Sequence, residues 1–372
     1  MNQKSAIKDQ RPDFNILDGL RGIAAVYVVL YHCRWQLLMA GSVYAKLVPI
    51  AQWSAGRKLI YSLLQLTTLG REFVIFFFVL SGFSIAHSLA KSKKILPFYL
   101  RRIIRLYPPY LLSLAWAAVI FWVVKHLAPD QLDAGERSVF NDWTYFVRNI
   151  FYLNNGGLMT SQLWSLSLEV VFYLLIPYFF IRGFWAYLVI SVIGYIVGWC
   201  IPLGGAIGSS TLGMFFLYYN LYFAIGILLY KYYGKIKRVL LFRKMVFVCI
   251  GGVLIVAMTV IRFKLGSDDR IALLLSGFFA VLMIIHFLEY RVSNGILLFL
   301  GKMSYTIYIT HIASIFLFFV ILDKMGFPFH LKITEFYIWP IGVLFCLAMA
   351  IPLYYIGEYP TKKILKSLRK TA

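Results

Sequence analysis

Charge of one sign is scarce in this chain: 15 acidic residues stand against 37 lysines and arginines among 372, and charged residues of both signs make up 14%. A soluble domain carries roughly a quarter of its residues as charges, so a water-soluble globule is excluded. Cysteine is also scarce. Cys33, Cys200, Cys249 and Cys346 are isolated, with no C-x-x-C pair and no histidine at a metal-binding spacing. No disulfide framework and no metal site is expected, and the thiols are expected buried and free. Cys33 adjoins His32 but points about 100° away from it around a helix, which argues against a Cys/His pair there. No internal repeat, low-complexity stretch or soluble-length polar segment interrupts the chain. The formal net charge of +22 therefore does not indicate nucleic-acid binding. The basic residues flank apolar runs, where membrane orientation and anionic headgroups favour them.

What the chain has in quantity is apolar surface: 61% hydrophobic and 18% aromatic residues, with mean hydropathy +0.78. The fold class expected is an all-α, polytopic membrane protein whose first partner is the lipid bilayer. Apolar runs predict ten spanning helices at 14–38, 73–90, 106–127, 163–181, 184–201, 212–230, 245–261, 271–289, 303–322 and 335–356. Most lysines and arginines fall in alternate links and in the tail KKILKSLRK, so both termini are expected to be cytoplasmic. An odd helix count would put that tail outside. Asp18 and Arg21 interrupt the first apolar run and no small-residue cleavage site follows, so the segment reads as retained and not as a signal peptide. The chain is expected to form a single membrane domain, 1–372. The outer segments 39–72 and 128–162 are expected to hold short interfacial helices, with a turn at the NNGG of 154–157.

Polar residues inside the spans are the candidates for function, because each is costly in hydrocarbon. In LDGLRGIAAVYVVLYH, Arg21 and His32 are eleven residues apart; that brings both to one helix face, separated by roughly 16 Å of rise. With Arg21 at the polar boundary, His32 lies about half-way across a core ~30 Å thick. In the second span Ser81, Ser84 and Ser88 form a stripe beside Gly82, open to a catalytic reading or to helix packing. In the ninth, GKMSYTIYITH places Ser304, Tyr308 and His311 on one face, with His311 at a depth like that of His32. LWSLSLEVVFYLLIP carries Glu169, the one acid well inside a predicted span, with Ser165 a turn earlier and Trp164 ahead of it. A buried Glu paired with a His would fix the imidazole tautomer; a bond to Trp164 or to backbone is the plainer alternative. PFYLRRIIRLYPPY sets Arg101, Arg102 and Arg105 beside a Pro-Pro at the foot of the third span. There they read either as a topogenic cluster or as guanidinium groups that grip phosphate.

Together LDGLRGIAAVYVVLYH, FFFVLSGFSIA, FYLRRIIRLYPPY, LWSLSLEVVFY and GKMSYTIYITH, in this order, resemble the acyltransferase-3 family of integral membrane acyltransferases over roughly residues 14–360. The resemblance implies about ten spans in a bacterial cytoplasmic (inner) membrane. It implies transfer of an acyl group, often acetyl, from cytoplasmic acyl-CoA to hydroxyls of cell-surface or exported glycans, without a metal. It matches the family's arginine–histidine signature to Arg21 and His32, its R-R-x-x-R element to Arg101, Arg102 and Arg105, and its W-S-L-x-x-E element to Trp164 and Glu169. Some members add a C-terminal esterase-like domain, which is not expected here. Joined to the residue reading, this gives the following expectations. Acyl-CoA is held by Arg101, Arg102, Arg105 and Arg21; His32 is the general base, assisted by Glu169 or Asp18; Ser81 donates to the developing oxyanion; Trp164, Tyr308 and His311 stand near the site. Direct attack and an acyl-enzyme route both remain open. The rival readings are a secondary transporter, which would carry inverted repeats and broken helices, an acyltransferase acting on a lipid or protein, and a non-catalytic scaffold.

Overall fold

The computed structural model describes residues 16–92, 94–129, 132, 143–153, 157–202, 205–266, 270–292, 294–327 and 334–370. The N-terminal tail and most of the turn expected at 154–157 fall outside them. Among the described residues there is no strand. The helices are α1 (Ile16–Leu37), α2 (Gly41–Leu47), α3 (Ala55–Leu64), α4 (Gly70–Lys91), α5 (Ile95–Leu127), α6 (Trp143–Ile150), α7 (Trp164–Arg182) and α8 (Phe184–Gly198). They continue with α9 (Thr211–Lys231), α10 (Tyr233–Leu240), α11 (Lys244–Leu265), α12 (Arg270–Glu289), α13 (Gly295–Lys302), α14 (Ser304–Lys324), α15 (Ile338–Leu353) and α16 (Tyr359–Lys370). Nine helical stretches among the described residues are long and apolar enough to cross a bilayer. A tenth, α8, has 15 residues, about 22 Å by helical rise. Each of the ten expected spans therefore has a helix, although α8 is short of the ~30 Å core.

Helix burial sorts the bundle from centre to rim. Most of α14 is buried, whereas on α11 only Gly251 and Met258 are fully buried and much of the helix faces outward. Close crossings are made by glycine. A Cβ at Gly82 on α4 would stand 2.1 Å from the Phe223 carbonyl oxygen on α9, and one at Gly226 would stand 2.1 Å from the Val79 carbonyl oxygen. No larger residue fits that α4–α9 contact, the small-residue packing that membrane helices use. A second crossing joins α1 to α13, where a Cβ on Gly301 would meet the Asp18 carbonyl oxygen at 2.2 Å. It fixes the stretch of α1 that carries Asp18 and Arg21.

Several expectations are corrected. The third span begins at Ile95, not 106, and α5 runs for 33 residues through Pro108 and Pro109. Each proline removes one helical N–H bond, freeing the carbonyls of Ile104 and Arg105. Beside them, Tyr305 O–H bonds the Leu106 carbonyl at 3.1 Å. Arg102 and Arg105 thus lie well inside the helix and not at its foot. In the segment expected to hold interfacial helices, α6 packs into the bundle: Tyr110 donates to the Asn149 carbonyl at 2.6 Å, and Asn149 is fully buried. Glu169, itself half-buried, is not alone as an interior acid, because Glu72 and Glu358 are buried. Burial of all four thiols is not observed either. Cys33 and Cys346 are buried with sulfurs 3.9 Å apart, while Cys200 and Cys249 are exposed.

Candidate functional site

Polar residues from α1, α4, α5, α7 and α14 converge on one cavity of about 70 Å³. Arg21, Arg102 and Arg105 line it together with Ser81, Ser84, Glu169, Tyr173, Ser304 and Tyr308. Arg21 is held from two sides, by Asp18 at 2.5 Å and by the Ser84 hydroxyl at 2.6 Å. The α4 stripe therefore divides its labour: Ser81 and Ser84 face the cavity while Gly82 serves the α9 contact. Glu169 accepts hydrogen bonds from the Ser81 and Tyr173 hydroxyls, the latter one helical turn away on α7. Arg102 lies over the rings of Phe98 and Tyr173, 5.5 Å from each centroid, and its buried Nε has no hydrogen-bond partner. Among the described residues, neither Arg102 nor Arg105 makes a salt bridge. Three guanidinium groups against one carboxylate in the lining leave the cavity with a cationic excess. In a low-dielectric interior that arrangement favours an anion.

His32 lies in a second cavity of about 190 Å³, lined by Tyr31, His32, Gly70, Arg71, Val74, Trp164, Arg262 and Tyr308. Its ring is 5.1 Å from that of His311 and 4.9 Å from that of Tyr31. Glycine matters again here, because a Cβ on Gly70 would fall 2.2 Å from the Tyr31 ring. Arg262 closes the wall through a two-oxygen ion pair with buried Glu72, at 2.9 Å to each oxygen. Tyr308 lines both cavities. Its hydroxyl bonds Ser165 at 2.8 Å and the Gln162 carbonyl at 3.1 Å, so it forms a fixed wall where the two meet.

Most of the residues singled out from the sequence gather here, with changes of partner. Glu169 is bonded to two hydroxyls, where a histidine partner was expected, because the α4 and α7 hydroxyls reach it first. The Ser81 hydrogen is directed at that carboxylate, so as it stands it is not a free oxyanion donor. Asp18 serves Arg21 instead of a histidine. Arg101 is absent from the cavity lining, which Arg102 and Arg105 share; Arg101 points about 100° away from Arg102 around α5. Trp164 joins the histidine cavity and rests against Tyr219, with centroids 5.1 Å apart. Tyr173, Gln162, Arg262 and Glu72 went unnoticed in the sequence. Tyr173 had a signal, its i+4 spacing from Glu169. The Glu72–Arg262 pair had none, being 190 residues apart.

A family model described as an acyltransferase domain matches residues 14–355. The chain belongs to that acyltransferase family. Curated relatives include Acyltransferase MdmB of Streptomyces mycarofaciens, 31% identical over 43% of this chain and 38% of its own length. O-acetyltransferase OatA of Staphylococcus aureus is 28% identical over 43% of this chain and 24% of its own length. Peptidoglycan O-acetyltransferase OatA of Listeria monocytogenes is 27% identical over 44% and 23%. The match thus spans well under half the length of these relatives. No solved structure matches.

Proposed function

We propose that the protein is a membrane-embedded O-acyltransferase, moving an acyl group, acetyl in the simplest case, from acyl-CoA to a hydroxyl of a cell-surface or exported glycan. The observation that carries this reading is the meeting at Tyr308 of a cation-rich cavity and a cavity holding His32. Acyl-CoA enters from the cytoplasm and its phosphates engage Arg102, Arg105 and Arg21, whose long side chains rotate to admit the pantetheine arm. The acceptor sugar occupies the histidine cavity from the opposite side, against Trp164 and Tyr31, whose ring faces suit sugar C–H surfaces. His32 takes the proton of the acceptor hydroxyl; the new ester C–O bond forms as the thioester C–S bond breaks; and the proton then passes to the departing CoA thiolate. Glu169 acts from the donor side, holding Ser81 and Tyr173 and offsetting part of the arginine charge. The glycan class is supported by relatives whose names specify O-acetyl transfer, one of them to peptidoglycan. A bacterial cytoplasmic membrane is the setting that these relatives favour.

A lipid or lipid-linked acceptor is a second reading, favoured by one feature. An apolar cavity of about 280 Å³ between α5 and α7, walled by Tyr99, Ile103, Tyr107, Tyr152 and Leu174, shares Arg102 and Tyr173 with the arginine cavity. The deciding experiment is mass spectrometry of surface glycans and extracted lipids from cells with and without the protein. A gain of one acyl unit on a glycan is expected. A gain on lipid alone would move the assignment to the second reading, and no change together with no acyl-CoA binding would defeat both.

A further inference from the structure

His311 is 1% exposed, and its Nδ1 lies 2.7 Å from the Tyr308 carbonyl oxygen and 3.2 Å from that of Ile307. Carbonyl oxygens only accept, so Nδ1 carries the hydrogen, and in the neutral ring Nε2 is an acceptor. That Nε2 is buried and has no hydrogen-bond partner. Buried imidazole nitrogens are rarely left unmatched, and an orphan of this kind usually reflects a partner engaged in another state. The neighbouring group that can supply a hydrogen is His32, its ring centroid 5.1 Å away and tilted by 44°. No hydrogen bond joins the rings as they stand.

We propose that His311 is the positioning residue for His32, accepting its N–H so that the other imidazole nitrogen presents a lone pair to the cavity shared with Trp164 and Tyr308. The proposal rests on His32 being the base. It gives a neutral imidazole the orienting place that a carboxylate fills in most histidine bases. The carboxylates expected from the sequence to assist, Glu169 and Asp18, are taken by Ser81 and Tyr173 and by Arg21 respectively, and Glu72, beside the cavity, is taken by Arg262. In the transfer His32 receives the hydroxyl proton and yields it to the thiolate, while His311 keeps its own hydrogen on Nδ1 and stabilises the transient imidazolium through Nε2.

The test compares side chains at 311 in the purified full-length protein, with acetyl-CoA as donor. His311→Gln keeps an acceptor oxygen and a donor for the Tyr308 carbonyl; His311→Phe and His311→Leu keep bulk without an acceptor. The expected result is a kcat lowered on the order of 10²-fold in Phe and Leu, recovered to within about tenfold of wild type by Gln, with KM for acetyl-CoA nearly unchanged in all three. Whichever apolar variant is recovered folded, judged by its melting temperature, supplies the comparison with Gln. Wild-type kcat in that variant overturns the proposal, as does an equal loss in Gln and in the apolar variants. His32→Ala separates the levels. If it retains turnover, the base reading itself fails; if it is inactive while His311→Phe is normal, only the present inference fails.

Discussion

The two cavities that meet at Tyr308 are built by opposite rules. In the arginine cavity, Arg102 and Arg105 have no carboxylate partner, and the single carboxylate, Glu169, is engaged by hydroxyls. In the histidine cavity Arg262 is neutralised by both oxygens of Glu72, and an imidazole and aromatic rings share the lining with Arg71. Under the proposed function, the region that takes up a polyanion leaves Arg102 and Arg105 uncommitted, whereas the region that accepts a sugar and a proton ties Arg262 to structure. The division matches donor on one side and acceptor on the other.

The comparison breaks most completely if His32 is dispensable. His32→Ala is expected to reduce acyl transfer by roughly 10³-fold or more while donor binding stays near wild type, as read by turnover and acetyl-CoA titration. Next in size is the structural pair. Glu72→Ala leaves Arg262 buried without a counter-charge, a change that costs about 3–5 kcal/mol and is visible as a lowered melting temperature in detergent. Arg102→Gln and Arg105→Gln each remove a charge-assisted contact worth ~1.5–3 kcal/mol. Each is expected to weaken acetyl-CoA binding about tenfold to a hundredfold in a direct titration, leaving the melting temperature nearly unchanged. Trp164→Ala sharpens the other half: KM for the glycan acceptor rises roughly tenfold, as for the loss of ~1.4 kcal/mol, with donor affinity intact. The smallest effect belongs to Arg101→Ala, which lies off the cavity and should alter donor binding by less than about twofold, within the ordinary range for a surface substitution.

How much of this was legible in the sequence varies by the physical origin of each feature. Arg21 and His32 were readable as polar residues eleven apart on one helix, but their assignment to separate cavities was not. Tyr308 and His311 followed from the same logic, and the ten apolar runs from hydropathy alone. The true start of α5 was hidden by three arginines and two prolines, and which of those arginines face the cavity depends on how α5 packs. Glu169 was found as an acid within a span, but its partner Ser81 is 88 residues away, a distance no periodicity spans. The sequence offered a histidine as the obvious mate; the packing of α4 against α7 supplied hydroxyls. Likewise Gly82 and Ser81 are adjacent in the chain yet serve opposite faces, which only the α4–α9 crossing makes plain.

The separation of donor and acceptor functions is tested most directly by measuring, in parallel, the acetyl-CoA dissociation constant and the transfer rate at saturating donor for His32→Ala and Arg105→Gln. The predicted outcome is a crossed pattern: His32→Ala binds donor like wild type but does not transfer, and Arg105→Gln binds weakly but transfers at close to the normal rate once saturated. Equal loss of donor binding in both variants, or full transfer by His32→Ala, would contradict the account.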